Sequence, residues 1–157
     1  MFELTVSLAP PLRVVLGVPA GVLATLAMDV VMARLPEGGT PPQVASGVLT
    51  ERHPDEAPGR LASAAHYTAG LLTGPLYIVL LLLVEGVVGT STQAYLVAAV
   101  ALYVLMTSFF FVVVLPRPEF PPGRVSDIRR AWAVEAVVYV IVVVALAWLG
   151  ARLVAAL

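Results

Sequence analysis

The chain contains no cysteine, no lysine and no asparagine, and only 12% of its 157 residues are charged. Without cysteine there can be no disulfide, no thiolate metal site and no cysteine nucleophile. Charge this sparse falls well below the roughly 25% of a soluble domain, and the net charge of −1 supplies no basic field for nucleic acid. The basic residues are all arginine, nine of them, and none precedes Arg13. The segment Met1 to Pro11 carries Glu3 and lacks the positive lead of a signal peptide, so the first apolar stretch is expected to stay in the mature protein.

What fills the chain instead is hydrophobic sequence, 60% of the residues, in long runs and not in the spaced pattern of a soluble amphipathic helix. A run of about 18 apolar residues is long enough to span a membrane. Four segments qualify: 14–35, 61–84, 94–115 and 131–149. The expected fold class is all-α, a polytopic membrane protein built as an antiparallel bundle of four transmembrane helices in a single domain. Pro36, Pro116 and Pro118 cannot continue a helix, and Gly86 and Gly89 are placed to close the second span. Trp132 and Trp148 bracket the fourth span, sixteen residues apart, as an aromatic belt would. In the first loop, Thr40 followed by Pro41 and Pro42 suits the start of a short interfacial helix with Val44, Val48 and Leu49 on one face, ending before Pro54. Ser126 is a candidate cap for the fourth helix.

Arginine placement predicts the orientation. Seven arginines flank the loops 36–60 and 116–130, against Arg13 and Arg152 on the other side. Basic residues stay inside, so both loops are expected to be cytoplasmic and both termini external, in a plasma or inner membrane. Arg52, Arg60, Arg124, Arg129 and Arg130 are then placed to meet lipid phosphate, which guanidinium groups bind in a fork.

Two spans carry small residues four apart, Gly17 with Gly21 and Gly70 with Gly74. In lipid such residues mark faces where helices approach closely. The stripes extend through Thr25, Met28 and Asp29 on the first span, through Ser63, His66, Thr73 and Tyr77 on the second, and through Ala94, Ala98, Ala101 and Ser108 on the third. Packing alone accounts for stripes of this kind.

The ionisable residues carry more information. Asp29, His66 and Glu135 each fall about 7 to 11 Å inside the same boundary at helical rise, with Tyr67 beside the histidine and Ser108 slightly deeper. Charge within a span is costly and usually faces a partner or a wet cavity. A shared polar layer of this composition can pass protons, because imidazole exchanges them near neutral pH. Imidazole and carboxylates also suit zinc or iron, and haem ligation by His66 with Met28 or Met32 is chemically open, yet no local ligand signature is present. Neither a metal nor another cofactor is expected. Simple hydrogen bonding among these side chains is the structural alternative, and Glu85, at the far end of its span, reads as a solvated cap.

Ala20 to Asp29, the Thr40-Pro41-Pro42 loop and the His66-Tyr67 pair leading to Gly70 resemble the YagU-like small inner-membrane proteins. The resemblance covers residues 17 to 77. It implies a four-helix membrane protein in which Asp29, Pro41, Pro42, His66, Tyr67 and Gly70 are the positions of interest, and brings no activity with it.

Three functions fit these residues. One is an oligomeric transporter or channel for protons, ions or a small solute, using the Asp29, His66 and Glu135 layer. Because four helices make a narrow bundle, its pathway would lie between protomers or in a shallow vestibule. The others are a non-catalytic accessory or scaffold subunit of a larger membrane complex, and an enzyme acting on lipid headgroups. The expected partners are membrane lipid and either further copies of the chain or a larger complex, with no nucleic acid.

Overall fold

The computed structural model describes residues 9–155, so Glu3 and the rest of the leading segment before residue 9 lie outside the described residues. All regular structure among the described residues is helical. Helix α1 runs Pro10–Met32, α2 Thr40–Thr50, α3 Gly59–Val88, α4 Thr92–Phe109 and α5 Pro122–Ala155. A one-turn 3-10 helix, Pro54–Glu56, follows α2, and α4 widens into a π turn, Phe110–Val114, where the Leu115 amide donates to the Phe110 carbonyl at 2.8 Å. Four helices are long and apolar enough to cross a membrane: Pro10–Met32, Gly59–Val88, Thr92–Val114 and Pro122–Leu153. The protein is a multi-pass membrane protein whose outward faces, with Leu72, Leu83, Val100, Val112 and Ile141 largely exposed, are what lipid would cover.

The long helices form a ring in chain order. α1 packs on α3 and α5, and α4 completes the ring between α3 and α5. Successive helices are antiparallel, so α3 and α5 run parallel across one diagonal. One end of the bundle, the loop end, carries α2 and the connections 33–58 and 115–121; the terminal end carries the start of α1 and the α3–α4 turn.

Several helix ends differ from the sequence expectation, each for a local reason. α3 continues through Gly86 and stops at Gly89, whose φ of 77° only glycine adopts freely. Ser91 then caps α4, accepting from the Ala94 amide at 3.2 Å. Thr40 is the first residue of α2 and not its cap; its hydroxyl donates to the Glu37 carboxylate. α5 starts at Pro122, a residue preorganised for a first turn, so Ser126 lies inside the helix. Trp132 therefore sits ten residues into α5. It faces inward and stacks on Phe110 at 4.6 Å, leaving only Trp148 on the exposed surface. The interfacial helix forms, with Val44 buried against Phe110, Leu115 and Ile128, while Leu49 faces out.

The closest contact in the bundle is the α1–α3 crossing. A Cβ on Gly21 would stand 2.6 Å from the Gly70 carbonyl oxygen, and one on Gly17 would stand 2.8 Å from the Pro75 backbone. The two glycine pairs thus form one interface, backbone on backbone. Pro19 and Pro75, each lacking an amide hydrogen, lie within the same turns.

Candidate functional site

At the loop end, three side chains from α1 and α3 converge. The His66 imidazole Nε2 is 2.7 Å from Asp29 Oδ1, and the Tyr67 hydroxyl donates to Asp29 Oδ2 at 2.7 Å. A carboxylate only accepts, so Nε2 carries the proton and Nδ1 is left as the second protonation site. Asp29 and His66 meet because the glycine crossing two turns deeper draws α1 and α3 together. The Asp29 side chain remains 29% exposed, whereas that of His66 is 9% exposed.

His66 also faces inward. It lines a cavity of about 260 Å³ inside the loop-end half of the bundle, together with Thr25, Met28, Phe109, Phe110, Trp132 and Tyr139 among others. Pro41 and Pro42 of α2 also line it, and the π turn contributes Phe110 and Val114 to its wall. A π turn in this position widens the helix where a wall must curve, and such turns recur at functional sites. The imidazole thus joins a carboxylate near the surface to the cavity.

Glu135 is fully buried, and neither carboxylate oxygen has a hydrogen-bond partner. One turn further along α5, the Tyr139 hydroxyl donates across the diagonal to the Gly70 carbonyl at 2.6 Å. Because α3 and α5 run parallel, Glu135 and His66, each four residues earlier, lie at one height. The three ionisable groups share a level, but only Asp29 and His66 are bonded. Ser108 is not part of this layer: it is exposed on the outer face of α4, and the buried hydroxyl is that of Thr107, which donates to the Tyr103 carbonyl at 2.8 Å.

The loop arginines divide. Arg124 forks onto Asp55 with two contacts of 2.8 Å, reaches Glu37 at 3.1 Å and covers the Phe120 ring, so it ties the two long loops together and is not free for phosphate. Its guanidinium holds the Asp55 carboxyl below the usual carboxylate range. Arg129 lies over Phe111, and Arg130 is 3.9 Å from Asp127. Arg52 and Arg60 are exposed and make no ion pair among the described residues. No group of three or more metal-ligating side chains occurs among the described residues.

A second polar contact joins α1 and α3 at the terminal end. Arg13 forks onto Glu85 at 2.6 and 3.0 Å, and the Glu85 side chain is 8% exposed. Glu85 is therefore a paired, nearly buried group and not a solvated cap. The legible signal was two opposite charges at the same end of antiparallel neighbours. Losing one partner strands the other in a poorly hydrated site. Glu85→Gln should lower stability by about 1–2 kcal/mol, measured by thermal unfolding in detergent, and Arg13→Gln in that background should cost little more. Full additivity would contradict the pairing.

Comparison with protein-family models, curated proteins and solved structures found no match.

Proposed function

We propose that this protein is a small membrane carrier for protons and a small solute, with Asp29, His66 and Tyr67 as its proton-handling group. One observation carries the reading: His66 is bonded to the partly exposed Asp29 and also lines the cavity between the helices. A proton taken up at the Asp29 side can pass through imidazole, which binds on one nitrogen and releases from the other. The cavity supplies a place for solute within a single chain, so transport needs no pathway between protomers. Arg13–Glu85 and Asp29–His66 close the same helix pair at opposite ends, with the glycine crossing and its two prolines between them. Rocking of α1 on α3 about that crossing would open one end while holding the other.

Reconstitution into liposomes containing a pH-sensitive dye, with a potassium diffusion potential imposed, tests this. The wild-type protein should admit protons several-fold faster than protein-free vesicles, and Asp29→Asn and His66→Ala should each bring the rate down to that of protein-free vesicles. Wild-type rates equal to those of empty vesicles would reject the carrier reading.

The orientation belongs to the same proposal: the loop end is cytoplasmic and both termini are external, since the loop arginines favour retention inside. The chain has no cysteine, so Glu56→Cys and Thr90→Cys each introduce a single exposed thiol. A membrane-impermeant maleimide should label the Thr90→Cys protein in intact cells and the Glu56→Cys protein only after lysis. The opposite pattern would invert the topology.

A further inference from the structure

The cavity's wall is selective in what it offers. Its polar groups are almost all engaged: Thr25 donates to the Gly21 carbonyl, Thr73 to the Ala69 carbonyl, Tyr139 to the Gly70 carbonyl and the Trp132 indole to the Met106 carbonyl. No donor except His66 is left for an anion. No arginine occurs within the sequence between Arg13 and Arg34, Arg60 and Arg117, or Arg130 and Arg152, so no fixed cation serves the interior at this depth. Aromatic rings of Phe109, Phe110, Trp132 and Tyr139 make up much of the remaining wall. Ring faces attract cations, most strongly where water is excluded.

Glu135 supplies the matching charge. Trp132 and Tyr139 are seven residues apart on one face of α5 and both line the cavity; Glu135 lies between them, three residues after one and four before the other. Its carboxyl does not line the cavity; it is buried on that same helix face, with both oxygens unpartnered. An isolated carboxylate in such surroundings is too costly to keep, so the group holds a proton while the cavity is empty. The other titratable groups around the cavity are the Asp29–His66 pair with Tyr67, and Tyr139, and none of them bonds Glu135.

We infer that the cavity takes a small lipophilic monocation, with Glu135 as its counter-ion, and that cation binding displaces the Glu135 proton. The exchange balances: the protonated carboxyl and the incoming cation give a carboxylate–cation pair across the Trp132–Tyr139 wall, and one proton leaves to water. This inference rests on the carrier reading and names its solute. A volume of about 260 Å³ equals the share of roughly nine waters, enough for a ligand of about ten non-hydrogen atoms.

Benzyltrimethylammonium is a permanent cation of that size and cannot itself release a proton. Detergent-solubilised protein should bind it with a change in tryptophan fluorescence, because Trp132 is in the wall, and should release about one proton per cation into weakly buffered solution. Affinity should rise with pH, since only the deprotonated carboxyl pairs with the cation. Neopentylbenzene, its uncharged isostere, should bind at least tenfold more weakly at high pH. Glu135→Gln and Glu135→Met should both lose the proton release and weaken cation binding at least tenfold, while Ser108→Ala, on the outer face of α4, keeps both. The methionine variant replaces an unpartnered carboxyl by an apolar side chain and guards against a folding failure. Equal binding of the cation and its isostere, no binding of the cation, or undiminished proton release from the folded Glu135 variants would each overturn the inference. Proton entry into liposomes that depends on Asp29 and His66 would then still support the carrier without this solute.

Discussion

Gly74→Leu is expected to lower the thermal unfolding midpoint in detergent by roughly 10 °C, the largest effect of any single substitution in the bundle. A Cβ there would collide with the Gly17 carbonyl and the Gly21 backbone, and backbone atoms cannot rotate aside as a side chain can. Over-packing ordinarily costs about 1–3 kcal/mol; at a backbone crossing the helices must separate, and the loss should exceed about 3 kcal/mol, or roughly 6–12 °C for a chain of this length. Separation also forfeits the van der Waals contacts that drive helix association in lipid. Gly21→Leu should act alike, meeting the Gly70 carbonyl, while Gly70→Leu meets the Thr25 side chain. Gly86 is the internal control, with nothing within 4 Å of its added Cβ, so Gly86→Leu should leave the midpoint unchanged or slightly raised. A similar fall in Gly86→Leu and Gly74→Leu would mean that the crossing is not what the glycines serve.

The same comparison shows which parts of this molecule are legible in its sequence. The glycine pairs could be found because small residues four apart leave a regular signature, and Asp29 and His66 could be found because charge inside an apolar run is conspicuous. Their pairing followed from equal depth on adjacent antiparallel helices. Ser108 failed for an angular reason: depth is set by residue count, but which way a side chain points depends on helix rotation, and Thr107 is the neighbour that turns inward. Trp132 failed because α5 extends beyond the apolar run, so the boundary inferred from hydropathy was not the start of the helix. The cavity had no sequence signature at all. It arises from a π turn, two prolines of α2 and the spread of four helix axes, none of which is encoded in one local pattern. Glu135 was visible as a residue but not as an unpaired one, since partnership is decided by the other helices.

A double-mutant cycle on Asp29 and His66 is expected to show coupling of about 1 kcal/mol, with each single alanine variant losing about 2–3 kcal/mol and the pair losing less than their sum. The single losses are large because each leaves a polar group at the edge of the apolar region with its partner gone. The coupling is smaller than an Asp–His contact of 2.7 Å suggests at first, for two physical reasons. Polar contacts between membrane helices average only about 0.6 kcal/mol and reach about 1.7, and the exposed part of Asp29 can recruit water. Tyr67 adds a third: its hydroxyl still donates to Asp29 when the imidazole is removed, so His66→Ala does not strand the carboxylate completely. Repeating the cycle in a Tyr67→Phe background should therefore increase the coupling. Ser108→Ala, on the outer face, should add to Asp29→Ala without interaction. Unfolding in detergent at fixed pH supplies all the free energies. Additivity within about 0.3–0.5 kcal/mol in both backgrounds would make Asp29 and His66 independent groups, and a cycle unaffected by Tyr67→Phe would remove the tyrosine from the site.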